Sequence, residues 1–263
     1  MLRLVNLKKA FTNPNSSTTV LNNVSLELEK GSFNILIGGN GSGKSTLLSL
    51  ITGTQTQDFG QILLDDENLA AMSEHQRFRQ IAMIHQNTQL GTVSNMSVLE
   101  NLALAEAKGQ SFGLQLALPL SYKRRLAKKS FYQDILCELN MGLENKLDLG
   151  VNNLSGGQRQ ALSLAMSLLS VSKLLLLDEH TAALDPKTSE SVMSLTDRFV
   201  KNHQLTTLMV THDLEQASYF GDRLLLLKEG EIALDVSGKQ KKALQAKDLM
   251  TVYTNHSKYS ISI

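Results

Sequence analysis

Residues 33–45 read FNILIGGNGSGKS, an apolar run followed by a glycine-rich turn that ends in Lys44 and Ser45. The turn fits the pattern G-x-x-x-x-G-K-[ST], whose glycines allow backbone N–H groups to surround phosphate oxygens. The apolar run predicts a buried strand, Phe33–Ile37, and the residues after the turn predict a helix, Lys44–Thr52. A chance glycine-rich turn is a poor explanation when both flanks are correct, so this stretch predicts a phosphate-binding loop in an α/β fold.

The predicted loop would hold a nucleoside triphosphate together with Mg²⁺. Lys44 would reach the β- and γ-phosphates, and the hydroxyl of Ser45 would bind Mg²⁺. The positive end of the following helix dipole would further stabilise the anionic phosphates. The residues of this segment that we expect to bind the nucleotide are Gly38, Asn40, Gly41, Ser42, Gly43, Lys44, Ser45 and Thr46.

A second stretch, LLLLDE at 174–179, is an apolar run that ends in two carboxylates. Many buried strands end in acidic residues, so the run alone is a weak signal. Behind a phosphate-binding loop it predicts that Asp178 holds Mg²⁺ through water and that Glu179 polarises the attacking water. A loop and then a helix starting at Pro186 follow, which places both carboxylates at the carboxyl edge of the sheet, where ligands bind.

The pentapeptide LSGGQ at 154–158 lies shortly before the acidic strand. The loop and the strand alone would also fit a small-molecule kinase. The pentapeptide counts against a kinase because it resembles the signature of the ABC (ATP-binding cassette) family. Its small residues and serine hydroxyl stand at a helix N-terminus, which suits a γ-phosphate. The resemblance assigns this contact to Ser155, Gly156, Gly157 and Gln158.

The resemblance also implies that two chains work together. Within one chain, the signature lies too far from the phosphate-binding loop to serve the same nucleotide. We therefore expect an ATP-dependent head-to-tail homodimer, in which each ATP with its Mg²⁺ lies between the loop of one chain and the signature of the other.

Other elements of the family pattern follow in order over roughly residues 3–235. Gln86 resembles the glutamine that touches Mg²⁺ and water, and Ala182–Asp185 resembles the D-loop. His212 resembles the histidine that contacts the γ-phosphate, and Phe11 stands where an aromatic ring stacks on adenine. The simpler alternatives are a solvated glutamine, a structural histidine and a core phenylalanine. The resemblance gives a catalytic set of Glu179, His212 and Gln86, and a metal set of Ser45, Gln86 and Asp178.

Short strand-like and helix-like runs alternate along the chain, which predicts an α/β fold with a parallel sheet and covering helices. The resemblance refines this to a P-loop NTPase (RecA-like) core with an N-terminal antiparallel β subdomain and an inserted α-helical subdomain. We expect a single cassette over residues 1–263. Its core would lie in 1–90 and 161–235, its helical subdomain with the signature in 91–160, and its C-terminal tail in 236–263.

The middle and the end of the chain carry weaker signals. Apolar stripes predict helices within residues 97–140, separated by a loop-like stretch at 109–121. The basic run at 123–129 is most simply a solvated helix face, with contact to lipid head groups or a partner as the alternative. The tail from Gly238 predicts a solvated helix with a frayed end.

The composition argues against several classes of protein. Lys and Arg number 26 against 25 Asp and Glu, so the net charge gives no reason to expect nucleic acid as a partner. Cys137 is the single cysteine, and its place in an apolar helical pattern predicts a buried side chain. No run of about 20 apolar residues could span a bilayer, so we expect any spanning part to belong to another subunit.

The strings DEHTAALDP at 178–186 and DVSG at 235–238 resemble a bacterial branch of the family. That branch is associated with importers that use a membrane permease and an extracytoplasmic binding protein for aromatic amino acids or similar solutes. The resemblance implies a cytoplasmic ATPase, peripheral on the inner face of the cell membrane, that energises import. An exporter ATPase and a soluble ABC protein outside transport are the alternatives.

Overall fold

The computed structural model describes residues 1–13, 16–108, 127–170 and 172–254. The loop predicted at 109–121, residues 123–126 of the basic run and the last nine residues of the tail lie outside these ranges.

Strands and helices alternate through the described ranges. The strands are β1 (Leu2–Asn13), β2 (Ser16–Leu28), β3 (Phe33–Ile37), β4 (Phe59–Leu64), β5 (Glu67–Asn68), β6 (Ile81–Ile84), β7 (Leu174–Asp178), β8 (Thr207–Val210), β9 (Arg223–Lys228) and β10 (Glu231–Ser237). The helices are α1 (Lys44–Thr52), α2 (Glu74–Gln80), α3 (Val98–Lys108), α4 (Lys129–Leu139), α5 (Gly156–Leu169), α6 (Pro186–Asn202), α7 (Leu214–Tyr219), α8 (Gly238–Ala243) and α9 (Ala246–Thr254).

The chain forms two compact units. The first unit joins residues 1–78 with the described residues from 204 onward, and the second spans 79–203. The finer division predicted from the sequence, into a core, a helical subdomain and a tail, stays a prediction.

The first unit contains the predicted antiparallel sheet, whose strands lie in the order β2-β1-β4-β5. β1 pairs with β2 from Leu2 opposite Leu28, and with β4 from Leu2 opposite Leu64. Side chains alternate along β2, so that Val24, Leu26 and Leu28 are buried while their neighbours are exposed. This period of two buries one face of the sheet and leaves the other in water.

The first unit also holds the strand that precedes the phosphate-binding loop. β3 runs parallel to β8 on one side and to β9 on the other, and β10 pairs with β9 in antiparallel register. All five residues of β3 are buried, as expected for a strand covered on both faces. A tight hairpin joins β9 to β10, and both Glu229 (φ 50°) and Gly230 (φ 77°) adopt the left-handed backbone of such turns.

The second unit pairs β6 with β7 in parallel, beginning with Ile81 opposite Leu174. Helix α5 packs against α3, α4 and α6 within this unit. The prediction of a buried Cys137 is wrong, since its side chain is exposed. Tyr132, Ile135 and Leu139 occupy the buried stripe of α4, and Cys137 falls outside that stripe because the helix turns 100° per residue.

The tail is more firmly attached than a solvated helix would be. Lys241 in α8 is buried, and its ammonium donates to the carbonyl oxygens of Ser218, at 2.9 Å, and Phe220. These carbonyls lie at the end of α7, where a cation is favoured by the helix dipole. No helix within the described ranges is long and apolar enough to cross a bilayer.

Asn101 is a polar side chain in the buried stripe of α3, with no exposed surface. Its Oδ1 accepts from the backbone N–H of Val93 at 2.7 Å, and its Nδ2 donates to the carbonyls of Val93 (3.1 Å) and Ser97 (3.0 Å). The side chain therefore pairs with both backbone groups of Val93, as a neighbouring strand would. This contact fixes the segment between Gln86 and α3.

We expect Asn101→Ala to destabilise the second unit by roughly 2 kcal/mol, because the buried side chain of Asn101 makes three hydrogen bonds that alanine cannot make. Urea unfolding followed by circular dichroism measures this change. Asn202→Ala, at an exposed position at the end of α6, is the matched control and should leave the midpoint unchanged. Equal midpoints for the two variants would contradict the assigned role of Asn101.

Candidate nucleotide site

Lys44 lies across the glycine-rich turn in the first unit. Its Nζ donates to the carbonyl oxygens of Gly38 at 2.6 Å and Gly39 at 3.0 Å, and the residue is only 7% exposed. A buried ammonium at the start of α1 adds its charge to the positive end of the helix dipole. The loop is therefore an electropositive site that suits phosphate oxygens.

The loop backbone follows a path that requires glycine. A Cβ atom at Gly38 would lie 2.4 Å from the carbonyl oxygen of Leu227 and 2.6 Å from Ser42 Oγ. Gly41 and Gly43 have φ values of 76° and 107°, in the left-handed region that L side chains disfavour. Gly43 also leaves no room, because a Cβ there would lie 2.7 Å from the side chain of Leu21.

The loop offers the donors that a polyphosphate needs. Ser42 Oγ is buried and has no hydrogen-bond partner among the described residues. A buried hydroxyl without a hydrogen-bond partner costs free energy unless a ligand oxygen accepts its hydrogen. Asn40 and Ser45 are exposed and Thr46 is half-buried, so these positions are open to a ligand. The residues present fit a bound triphosphate.

Phe11 is 40% exposed on β1, so the alternative of a core phenylalanine is wrong. The ammonium of Lys9 lies 5.5 Å from the centre of the Phe11 ring, within range of a cation–π contact. Asp58 fixes this part of β1, since it accepts from Lys9 Nζ at 2.9 Å and from the backbone N–H of Ala10 at 2.7 Å. These two hydrogen bonds lower the pKa of Asp58. The role of Phe11 in adenine stacking stays a prediction.

His212 is exposed and follows β8 by two residues. On one side of it the N–H of Thr211 donates to the carbonyl of Leu36 in β3, at 3.2 Å. On the other side Asp213 caps α7 by accepting from the backbone N–H groups of Glu215 and Gln216. The imidazole therefore stands between two fixed points, close in the sheet to the strand that enters the phosphate-binding loop.

The second unit carries the acidic pair. Asp178 is the last residue of β7, and Glu179 follows it with φ of 46°, a left-handed backbone that is rare for glutamate. The carbonyl of Glu179 accepts from the N–H of Ala182 at 2.9 Å, which closes a turn directly after the strand. Backbone strain of this kind concentrates at functional sites.

Gln86 is exposed and follows β6, the strand that pairs with β7. Because β6 and β7 run parallel from Ile81 opposite Leu174 to Ile84 opposite Leu177, their carboxyl ends lie at the same edge. The structure therefore brings Gln86, Asp178 and Glu179 to one edge of the second unit, and their predicted roles in hydrolysis and metal binding stay predictions.

The signature begins a fourteen-residue helix, α5, with Ser155 as its N-cap. Ser155 and Gln158 form a capping box, in which Ser155 Oγ accepts from the N–H of Gln158 and Gln158 Oε1 accepts from the N–H of Ser155. Gln158 also donates to the carbonyl of Met141 at 3.1 Å. Ser155 and Gln158 therefore have a structural role as the cap of α5. Their contact with a γ-phosphate, which the sequence assigns to them, stays a prediction.

The two glycines of the signature let α5 approach the D-loop and α6. A Cβ at Gly156 would lie 2.8 Å from Leu184, and one at Gly157 would lie 2.7 Å from Thr188. Asp185 is the N-cap of α6, and hydrogen bonds from Thr188 lower its pKa. The D-loop and the signature are therefore packed against each other within the second unit.

His180 was noted in the sequence only as part of the string DEHTAALDP, and the structure shows that it is buried. Burial lowers the pKa of His180 to about 4, so the ring is neutral. Its Nε2 lies 3.1 Å from Thr196 Oγ1 on α6. Sequence reasoning also missed Lys9 beside the Phe11 ring, although the period of two along β1 could have indicated that residues 9 and 11 share a face.

The predicted Mg²⁺ ligands are a hydroxyl, an amide and one carboxylate, from Ser45, Gln86 and Asp178. Among the described residues, no group of three or more His, Cys, Asp or Glu side chains could hold a metal ion. Mg²⁺ is commonly held by one or two protein oxygens together with substrate phosphates and water. Each of the three groups offers the kind of oxygen atom that Mg²⁺ prefers as a ligand.

A strand, a glycine-rich loop with a buried lysine, and a helix, together with an acid-ended parallel strand, define a P-loop nucleoside triphosphatase. The model of the ABC transporter family matches residues 21–182, more than half of the chain. The chain belongs to the ABC transporter family, and it is an ATP-binding and ATP-hydrolysing subunit of that family.

Two curated relatives support this family. The tyrosine transport ATP-binding protein of Clostridioides difficile is 44% identical over 95% of this chain and 97% of its own length. A methionine import ATP-binding protein of Haemophilus influenzae is 34% identical over 88% of this chain, which spans only 64% of that protein.

Solved structures show the same cassette. A dimeric ATP-binding cassette in a post-hydrolysis state, bound to ADP and Pi, matches with a TM-score of 0.72 and 27% identity, over 90% of this chain and 98% of that one. A nucleotide-free cassette from an ABC transporter matches with a TM-score of 0.74 and 25% identity, over 95% of each chain. These matches confirm the α/β P-loop fold with its antiparallel subdomain.

We expect Gly38→Ala to lower the Tm of the nucleotide-free protein by at least about 4 °C, because its Cβ would collide with Leu227 and Ser42. Differential scanning fluorimetry measures this. Gly41→Asn is the control in the same loop, since a Cβ there meets no atom within 4 Å and Asn tolerates the left-handed backbone. A larger loss of Tm for Gly41→Asn than for Gly38→Ala would contradict the steric argument.

Proposed function

We propose that this chain is the ATPase of an importer for an amino acid or a similar solute, acting through a separate membrane permease. The observation that carries the proposal is the close match, over almost the whole length of both proteins, to a tyrosine transport ATP-binding protein. The methionine import relatives support the same class of solute. The ATPase works on the cytoplasmic side, peripheral to the membrane.

Binding of ATP uses the phosphate-binding loop and Phe11. Backbone N–H groups from Gly41 to Thr46, with the ammonium of Lys44, hold the β- and γ-phosphates, and the ring of Phe11 stacks on adenine. Ser45, Gln86 and Asp178 hold Mg²⁺, which neutralises charge on the phosphates when it is bound.

Hydrolysis uses the residues at the strand ends. Glu179 accepts a proton from the attacking water, and its left-handed backbone lies directly after the end of β7. Gln86 orients the same water, and His212 contacts the γ-phosphate as its charge changes. Positioning of the reacting groups and electrostatic stabilisation, rather than covalent catalysis, accelerate the hydrolysis.

Two copies of the chain complete each site in a head-to-tail dimer. The signature lies at the N-terminus of α5, whose exposed Ser155 and half-buried Gly156 present a positive helix end to an anion. The dimeric cassette with ADP and Pi, at 27% identity, supports a dimer of this chain. ATP holds the dimer closed and hydrolysis opens it, which drives the permease.

We expect Glu179→Gln to bind ATP with unchanged affinity and to lose at least about 100-fold in kcat, since the amide cannot accept the proton. Phosphate release and equilibrium binding of a fluorescent ATP analogue measure the two quantities. Glu190→Gln, an exposed glutamate on α6, is the matched control and should hydrolyse ATP normally. Near-native turnover of Glu179→Gln would show that another group is the base.

The size of Glu179→Gln in solution tests the dimer. With ATP and Mg²⁺ we expect it to migrate as a dimer in size-exclusion chromatography with light scattering, and as a monomer without nucleotide. Lys44→Ala, which removes the ammonium from the loop, should remain monomeric with ATP, whereas Lys187→Ala at an exposed site in the same background should dimerise. A Glu179→Gln protein that binds ATP but stays monomeric, even beside its permease, would argue against the head-to-tail arrangement.

The permease would contact the segment after Gln86, together with the helical part of the second unit. Leu90 is 52% exposed and Val93 is 39% exposed, although both are apolar. Two exposed apolar side chains this close in sequence offer a partner an apolar surface to contact. Asn101 holds the backbone of Val93 in place and so keeps this surface fixed.

Affinity purification of Glu179→Gln with ATP from detergent-solubilised membranes tests the transport role. We expect a polytopic membrane protein in near-equal amount, together with an extracytoplasmic binding protein. A membrane partner without any binding protein in intact cells would favour an exporter, and a soluble complex alone would contradict transport. Leu90→Asp, compared with Glu190→Gln, should release the membrane partner while leaving ATP binding intact.

A further inference from the structure

Helix α5 carries a buried glutamine shortly after the signature. Gln160 is 1% exposed, and its Nε2 lies 3.1 Å from the carbonyl oxygen of His85 and 2.7 Å from the carbonyl oxygen of His180. Both partners can only accept hydrogen bonds, so the amide must present its NH₂ group to them. Its two hydrogens serve one carbonyl each.

Each of these carbonyls belongs to a residue that is the sequence neighbour of a member of the predicted hydrolytic set. The carbonyl of His85 and the N–H of Gln86 belong to the same planar peptide group, so the hydrogen bond fixes the plane from which Gln86 starts. His180 directly follows Glu179. One side-chain amide thus fastens the backbone beside both side chains that would act on the attacking water.

His180 is fastened a second time through its ring. Thr196 has a single hydroxyl hydrogen, which it donates to the carbonyl of Val192 at 2.8 Å. Its oxygen is therefore the acceptor for His180 Nε2–H, at 3.1 Å. The residue after Glu179 is held at its carbonyl by α5 and at its ring by α6.

These contacts surround a strained position. Glu179 has φ of 46°, a left-handed conformation that costs a non-glycine residue free energy and that contacts with the surrounding structure can stabilise. On the N-terminal side, β7 is paired with β6 up to Leu177 opposite Ile84. On the C-terminal side, the backbone is fixed by the contacts of His180 with Gln160 and Thr196.

We propose that Gln160 is a positioning residue for ATP hydrolysis, which sets the backbone that carries Gln86 and Glu179. The proposal rests on the roles given to those two residues under the proposed function. Because α5 starts with the signature, Gln160 also ties the signature to the hydrolytic residues of its own chain. A shift of α5 on contact with a nucleotide would thus move the backbone beside Gln86 and beside Glu179.

A positioning role differs from a merely structural one in what a variant loses. Gln160→Met keeps the length and fills the space but cannot donate to either carbonyl. If Gln160 positions the hydrolytic residues, kcat should fall roughly 10- to 100-fold, since small displacements of reacting groups cost this much. ATP affinity should stay within about twofold, because the phosphate-binding loop belongs to the other unit.

Gln133→Met is the matched control. Gln133 is half-buried on α4 in the same unit, and its Nε2 donates to the carbonyl of Glu144 at 3.3 Å. Gln133 thus donates from the same amide group as Gln160 does, but it contacts neither His85 nor His180. We expect the kcat of Gln133→Met, measured per folded molecule, to equal that of the wild type. The Kd for ATP and the Tm are measured for each variant as well.

Gln160→Glu is a second variant that decides the matter even if Gln160→Met folds poorly. A carboxylate cannot donate to the two carbonyls, whereas a protonated carboxyl group restores one hydrogen bond. Facing two carbonyls in a buried site, the new acid should have a raised pKa. Its kcat, divided by that of the wild type, should rise as the pH falls from about 8 to about 6.

The outcomes separate the proposal from the function on which it rests. A kcat for Gln160→Met within about twofold of wild type, an equal loss for Gln133→Met, or a flat pH ratio for Gln160→Glu would overturn the positioning role. Wild-type turnover in Glu179→Gln, measured in the same assay, would instead contradict the assignment of the base.

Discussion

The backbone at Gly38 approaches its neighbours so closely that no Cβ atom fits there. Leu227 in β9 and Ser42 in the loop fill the space on either side. The loop can leave β3 at this angle only because residue 38 has no side chain, and this angle brings Lys44 onto the carbonyls of the turn. The positive start of α1, the buried ammonium and the unpartnered hydroxyl of Ser42 all depend on that one approach.

The second unit is subject to a different constraint, because it must stabilise the strained backbone of Glu179. Glu179 adopts a left-handed backbone, which costs free energy and is stabilised by contacts on both sides of the residue. The parallel pairing of β6 with β7 supplies one side, and the buried His180 with its contacts to Gln160 and Thr196 supplies the other. The buried polar groups form hydrogen bonds with one another, which offsets the free-energy cost of their burial.

Local sequence patterns predicted the strands and helices around the site correctly. The strand Phe33–Ile37 and the helix Lys44–Thr52 were confirmed at the predicted bounds, because a glycine-rich turn separates them sharply. Cys137 was predicted wrongly, since an apolar neighbourhood in sequence does not say which face of α4 a residue occupies. The burial of Lys241 was not predicted for the tail, because it depends on carbonyls about twenty residues away.

The sequence by itself determined the chemistry of this protein, because the phosphate-binding loop, the acid-ended strand and the signature are each a contiguous stretch that is recognised from its own residues. Only the tertiary structure decided how those stretches are held. Gln160 reaches carbonyls 75 and 20 residues away, and Asn101 pairs with the backbone of Val93. Such contacts depend on which buried polar atoms meet when helices pack on strands, and this meeting is not encoded in any local pattern.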